Sequence, residues 1–179
     1  MKNKTLFITQ AAAIAAVYVV LTMFIGVFGL ASGAIQIRIS EALTILPFFM
    51  PSAIPGLFVG CFLSNLLTGC NILDVIFGSL ATLIGAFGTY YIGKIAKTRD
   101  AAKQKRVLYL APIPPIAANT IIVPFVLAYV YHMEGTIPFF MLTVGIGEVL
   151  SCFVLGLVLA FAFKKYLYKF IPDSPDSIL

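Results

Sequence analysis

The chain has 179 residues, 61% of them hydrophobic and 11% charged, with a mean hydropathy of +1.05 and a formal net charge of +5. Soluble domains carry about 25% charged residues, so the composition argues against one and for an integral membrane protein. The basic residues gather in three short blocks beside apolar runs, the pattern of loops at a cytoplasmic surface, and a nucleic-acid partner gains little support.

Residues 5–28 are expected to form the first span. The apolar run from Leu6 to Phe28 is longer than the roughly 7–15 residues of a signal-peptide core, so it reads as an uncleaved helix. Within it, QAAAIAAVY (10–18) sets Ala11 four residues from Ala15 and Ala12 four from Ala16. Small residues at that spacing let a second helix approach closely, either inside the bundle or from a separate membrane subunit. A connector rich in Gly, Ala and Ser follows and ends in IQIRISEAL (35–43), where three isoleucines alternate with Gln36, Arg38 and Ser40. The alternation suggests an extended approach to the second span, with Ser40 as a helix N-cap. Gly29 and Gly33 give the connector the freedom of a lid.

Spans two and three are expected over 41–51 and 55–67. Pro47, Pro51 and Pro55 punctuate them, and at that density they suit a broken hairpin as well as two helices. Span four covers 72–95 and runs into the basic stretch KIAKTRDAAKQKR (94–106). Span five covers 107–131 despite Pro112, Pro114, Pro115 and Pro124. Span six covers 137–163, with Pro138 placed where a first-turn proline gives up no hydrogen bond. The expected architecture is therefore an all-α single domain of six transmembrane helices. With an even number of spans, Lys2 and Lys4, the 94–106 block, and Lys164, Lys165 and Lys169 share one side; the positive-inside rule makes that side, and both termini, cytoplasmic.

In so apolar a chain each ionisable or amide side chain at membrane depth needs a reason, since a charge at the centre costs about 2.5–3.5 kcal/mol on the insertion scale. The candidates are Arg38, Glu41, Asp74 and Glu148, with Asn65, Asn71 and Asn119. On the expected topology they fall in the outer half or at mid-depth, which describes a pocket open to the outside and deepest at Glu148. Each has a structural alternative. Arg38 and Glu41 can pair as i,i+3 ions; Asp74 suits a helix N-terminus; the asparagines can bridge helices. Glu148 has no such explanation within its own helix. Tyr90, Tyr91, Tyr129 and Tyr131 read as interfacial anchors. Cys61, Cys70 and Cys152 form no CxxC and read as apolar packing residues, and a disulfide framework or metal site has almost no support. No phosphate loop of the GxxxxGK[ST] type is present, so no cofactor is expected in this chain.

The blocks QIRISEALTILP (36–47) and GCNILDVIFGSLATLIGA (69–86) resemble the QueT family, queuosine-precursor transporters among the substrate-binding (S) components of energy-coupling factor transporters. The resemblance spans nearly the whole chain. It implies a binder of a 7-deazaguanine, such as the 7-aminomethyl form, in a prokaryotic plasma membrane. Its partners would be a transmembrane coupling subunit (the T component) and two cytoplasmic ATPases that use ATP. It also implies that the alanines of the first helix, Ala11, Ala12, Ala15 and Ala16, face the coupling subunit, in a register left open. For such a ligand, one carboxylate can accept two adjacent N–H donors and a second can take an ammonium. Glu148 is expected at the base and Glu41 or Asp74 at the ammonium, with Arg38, Asn71 and Asn119 beside them. The alternatives are an S component for another vitamin-like molecule and a stand-alone ion-coupled transporter. An enzyme is disfavoured because one turn histidine, His132, and no nucleophile–base pair leave little catalytic machinery.

Overall fold

A computed structural model describes residues 2–27, 38–99 and 106–162, all of them helical or in short turns. The connector around Gly29 and Gly33 lies outside the described residues, as do Lys164, Lys165 and Lys169. Helix α1 (Lys2–Val27) is followed by a three-ten helix (Ile39–Phe48), then α2 (Ala53–Leu67), α3 (Ile72–Ala96), α4 (Ile113–Tyr129) and α5 (Ile137–Glu148). Beyond α5 the same rod continues through π-helical turns (Val149–Leu155) into α6 (Gly156–Ala162).

Among the described residues, four helical stretches are long and apolar enough to cross a membrane: Lys4–Val27, Ile72–Ala96, Arg106–Tyr129 and Ile137–Ala162. The surface pattern agrees. Ile8, Val20, Val27, Leu67 and Leu142 are exposed, whereas Ser40, Glu41, Asn65, Thr82, Asn119 and Glu148 are buried. An apolar surface around an interior that also holds the costly polar groups suits a solvent of lipid chains.

The second apolar stretch differs from its expected form. It begins at Ile39, not Glu41, and Ser40 is not its N-cap. Arg38 holds that position with an extended backbone (φ −104, ψ 93) and no side-chain cap bond. Ser40 instead lies inside the helix, where its hydroxyl accepts from Thr22 Oγ1 at 2.8 Å. Pro47, which lacks an N–H, sits within the three-ten helix, while Pro51 and Pro55 fall in the turn and first turn of α2. The geometry has a use. At about 2.0 Å per residue a ten-residue three-ten helix reaches about 20 Å, close to the roughly 22 Å of the 15-residue α2. Two arms of unequal residue count thus make a hairpin of equal reach. Every residue from Ser40 to Met50 is buried, so this arm runs through the middle of the bundle.

Helix α3 packs against α2, α4 and the three-ten helix, and α5 closes on α4. Close approaches need glycine. A Cβ at Gly85 would stand 2.5 Å from Pro115 Cα, and one at Gly93 would run into the Phe48 carbonyl. Helix α1 lies at the edge on α2 and the three-ten helix, with 22% of its span buried against 44% for each of the other three long helices. Along the α1–α2 seam a Cβ at Gly56 would meet the Ala11 carbonyl oxygen at 2.7 Å, and one at Gly60 would meet Tyr18 Cβ at 2.8 Å.

Because the obstacle at Gly93 is backbone rather than a side chain that can rotate away, Gly93→Ala should destabilise the bundle by about 1–3 kcal/mol. A lowered unfolding temperature of the detergent-solubilised protein checks this, with Gly26→Ala, which meets nothing within 4 Å, as the neutral control.

Candidate functional site

A group of buried polar side chains lies around Glu41, near the start of the three-ten helix. Its carboxylate accepts a short hydrogen bond from Tyr18 on α1 through Oε1. Both side chains are fully buried, with Glu41 1% exposed. Tyr18 reaches this point because Gly60 lets α1 and α2 touch beside its Cβ. The second oxygen, Oε2, has no hydrogen-bond partner. Thr44 returns its hydroxyl to the Glu41 carbonyl at 2.6 Å, which fixes the backbone of this turn.

Glu148 approaches from the opposite wall. It lies about 16 Å along α5 from Ile137, at 1.5 Å per residue, and ends the α-helical part of that rod. The wider π turns that follow keep both Ser151 and Cys152 buried at 1% exposure. Cys152 Sγ lies 3.1 Å from Glu148 Oε2, its acceptor, and 3.6 Å from the Glu41 carbonyl oxygen. Thr44 Oγ1 approaches the same sulfur at 3.4 Å. One carboxylate oxygen of Glu41, one of Glu148 and the Cys152 sulfur all lie within 4.8 Å of one another. Asn119, buried in the middle of α4, has a side-chain nitrogen Nδ2 without a partner.

Arg38 stands on the other flank. It does not hydrogen-bond Glu41; its Nη2 donates to Asn65 Oδ1 on α2. Asn65 Nδ2 contacts Cys61 Sγ at 3.7 Å, and Thr82 Oγ1 on α3 donates to the same sulfur at 3.4 Å. The three-ten helix, α2 and α3 are joined by this chain of contacts. It leaves the Arg38 guanidinium close enough to lend positive charge to the carboxylate side of the cluster.

Asn71 and Asp74 open α3, with Asp74 near Asn65 across Gly78 and in electrostatic reach of Arg38. Asn71 is the N-cap of α3, accepting from Leu73 N at 3.0 Å. Tyr131 donates to Asp74 Oδ2 at 2.8 Å and accepts from the Asn71 backbone N–H at 3.1 Å. The turn after α4 is thereby clasped to the start of α3. Partial burial, and after it the Asp74 carboxylate, hold the Tyr131 phenol above its ordinary pKa, so it remains the donor. Tyr131 is thus a clasp residue as well as an aromatic at the helix end, while Tyr91 and Tyr129 are exposed.

Of the sequence candidates, the fold brings Glu41, Glu148 and Asn119 together, sets Arg38 and Asn65 beside them, and ties Asn71 and Asp74 to Tyr131 on the Arg38–Asn65 side. The alanines divide by face: Ala15 is buried on α2 and Ala11 is half-buried there, while Ala12 and Ala16 are exposed. Sequence reasoning missed Tyr18, Thr44, Cys61, Thr82 and Cys152. For Cys152 a signal existed, since it follows Glu148 by four residues and so shares its face.

The family profile described as QueT transporter matches residues 8–165. A relative named queuosine precursor transporter QueT, from Lactococcus lactis subsp. cremoris (strain MG1363), is 42% identical over 83 residues. That stretch is 46% of this chain and 48% of the relative, so the match spans about half the relative's length. No solved structure matches.

Removing the Tyr18 hydroxyl leaves both Glu41 oxygens without a protein donor. Tyr18→Phe should therefore destabilise the protein by about 1–3 kcal/mol, the penalty for an unsatisfied buried polar group, read as a drop in unfolding temperature. Tyr131→Phe should leave that temperature nearly unchanged but speed amide hydrogen exchange at Asn71, whose N–H loses its acceptor.

Proposed function

Because this chain belongs to the QueT transporter family, we propose that it captures a queuosine precursor from outside the cell, a 7-deazaguanine in its 7-aminomethyl form. It acts as the S component of an energy-coupling factor importer, working with a transmembrane T component and two cytoplasmic ATPases. In this reading the chain crosses a prokaryotic plasma membrane six times, with the three-ten helix and α2 as the two short crossings. Both termini face the cytoplasm, where the basic blocks sit.

The observation that carries the reading is the pair of buried carboxylates, Glu41 and Glu148, together with the open Glu41 Oε2 and the Asn119 amide beside Glu148. Two ionised carboxylates held this close in a poorly solvated interior repel each other. A ligand that brings one positive charge and several N–H donors removes that repulsion and fills the open acceptors. The 7-aminomethyl-7-deazaguanine cation supplies both. Its adjacent ring and exocyclic N–H groups suit Glu148, its ammonium suits Glu41 Oε2, and its ring carbonyl suits the Asn119 amide. Tyr18 and Arg38 act on the ligand indirectly. Tyr18 fixes which oxygen Glu41 presents, and Arg38 limits the surplus negative charge before the ligand arrives.

Helix α1 offers the docking face. Ala11 and Ala15 are engaged with α2, so the exposed register Ala12 and Ala16 is the one that meets the T component in this reading.

The test is calorimetric, since the chain has no tryptophan to report by fluorescence. Glu148→Gln and Glu41→Gln should each weaken binding of 7-aminomethyl-7-deazaguanine by about 10- to 150-fold, the loss of one charge-assisted hydrogen bond. Glu41→Gln should also narrow the preference over the neutral 7-cyano analogue. Folded variants that bind the cation as tightly as the wild type would sink the assignment.

A further inference from the structure

Cys152 has no evident part in binding a deazaguanine, yet it completes a compact donor set. Glu41 and Glu148 each bring a carboxylate oxygen and Cys152 its sulfur, all three residues buried and the three atoms within 4.8 Å of one another. The closest pair, Cys152 Sγ and Glu148 Oε2, is 3.1 Å apart. Around a four-coordinate zinc-class ion, with ligands at about 2.0–2.3 Å, neighbouring donors stand about 3.5 Å apart. The group therefore needs to close by about 1 Å at its widest to surround an ion. A second observation points the same way. Glu41 Oε2 is a carboxyl oxygen on a side chain 1% exposed, and it has no hydrogen-bond partner. Buried carboxylate oxygens are ordinarily paired, because leaving one bare costs about 1–3 kcal/mol or more.

We propose that Glu41, Glu148 and Cys152 form a binding site for a thiophilic divalent cation of the zinc and cadmium class. Sulfur with two carboxylates favours these ions over magnesium or calcium, which prefer all-oxygen shells. On binding, the Cys152 S–H bond breaks, a sulfur–metal bond forms, and the proton leaves to solvent; no electron is transferred. Charge then closes: three anionic ligands and the nearby Arg38 guanidinium balance the dication. Three protein donors leave a fourth position for water. If the Proposed function is correct, the ion and the cationic substrate share two carboxylates, so zinc competes with uptake.

The experiment uses the purified full chain without substrate and cadmium chloride as the probe. Titration should give one bound ion, a thiolate-to-cadmium absorption band and release of at least one proton, and excess magnesium should not displace the ion. Cys152→Ser should abolish the band and weaken binding by at least about a hundredfold, since even an outer-shell partner is worth about 10- to 100-fold. Cys61→Ser, outside the donor set, should retain both. X-ray absorption at the cadmium edge of the wild-type protein needs no variant, and one sulfur among oxygen neighbours is the expected shell. An all-oxygen shell, no binding by the wild type, or unchanged binding by a folded Cys152→Ser would overturn the site. None of these readings involves the deazaguanine, so they are separable from the substrate titration.

Discussion

A carboxylate buried among lipid-facing helices must be given partners by the protein itself, and Glu41 imposes that demand on nearly every element around it. Tyr18 on α1 supplies one donor, and Thr44 fixes the backbone that carries the carboxylate. Arg38 is held beside it by Asn65. Gly60 serves the same end at one remove, since without it α1 could not lie close enough for Tyr18 to reach. The bundle meets the demand for Oε1 and leaves Oε2 open, and the proposed binding site is built on that open acceptor.

The three-ten helix explains how a polar residue comes to lie so deep. Its longer rise carries a short run of residues from Arg38 at one end of the hairpin to Met50 at the other, along a path with no exposed face. Side chains on this arm therefore face other protein in every direction, and Ser40, Glu41 and Thr44 are covered on all sides. The π turns after Glu148 act comparably on the far wall, carrying Ser151 and Cys152 inward. Both departures from α geometry flank the carboxylate pair, and π turns in particular recur at functional sites.

Much of this was legible residue by residue. The apolar runs, the lone Glu148 and the presence of Arg38 and Glu41 at a span entrance all stand out, because an ionisable group in hydrocarbon is expensive wherever the chain places it. Tyr18 and Thr82 were not legible, since a tyrosine or threonine in an apolar helix passes as an anchor or a filler until its neighbour is known. Cys61 and Cys152 read as apolar packing, yet each sulfur lies in a polar contact with another helix. Asp74 shows how a partner can be distant in sequence. Its charge at a helix start promised a ligand group, and the partner it found was Tyr131, 57 residues away.

The sequence by itself determined the environment and the inventory: a lipid-exposed, all-helical chain with basic flanks and a few polar residues placed where they are costly. Those properties are local sums over composition and period, and no later packing can alter them. Only the tertiary structure decided which polar residues meet, which alanine register is spent inside the bundle, and that Cys152 joins two carboxylates from different elements. The reason is rotational. A helix presents a different face for every 100° of turn, and that angle is set by where distant glycines such as Gly60 and Gly93 admit a neighbour.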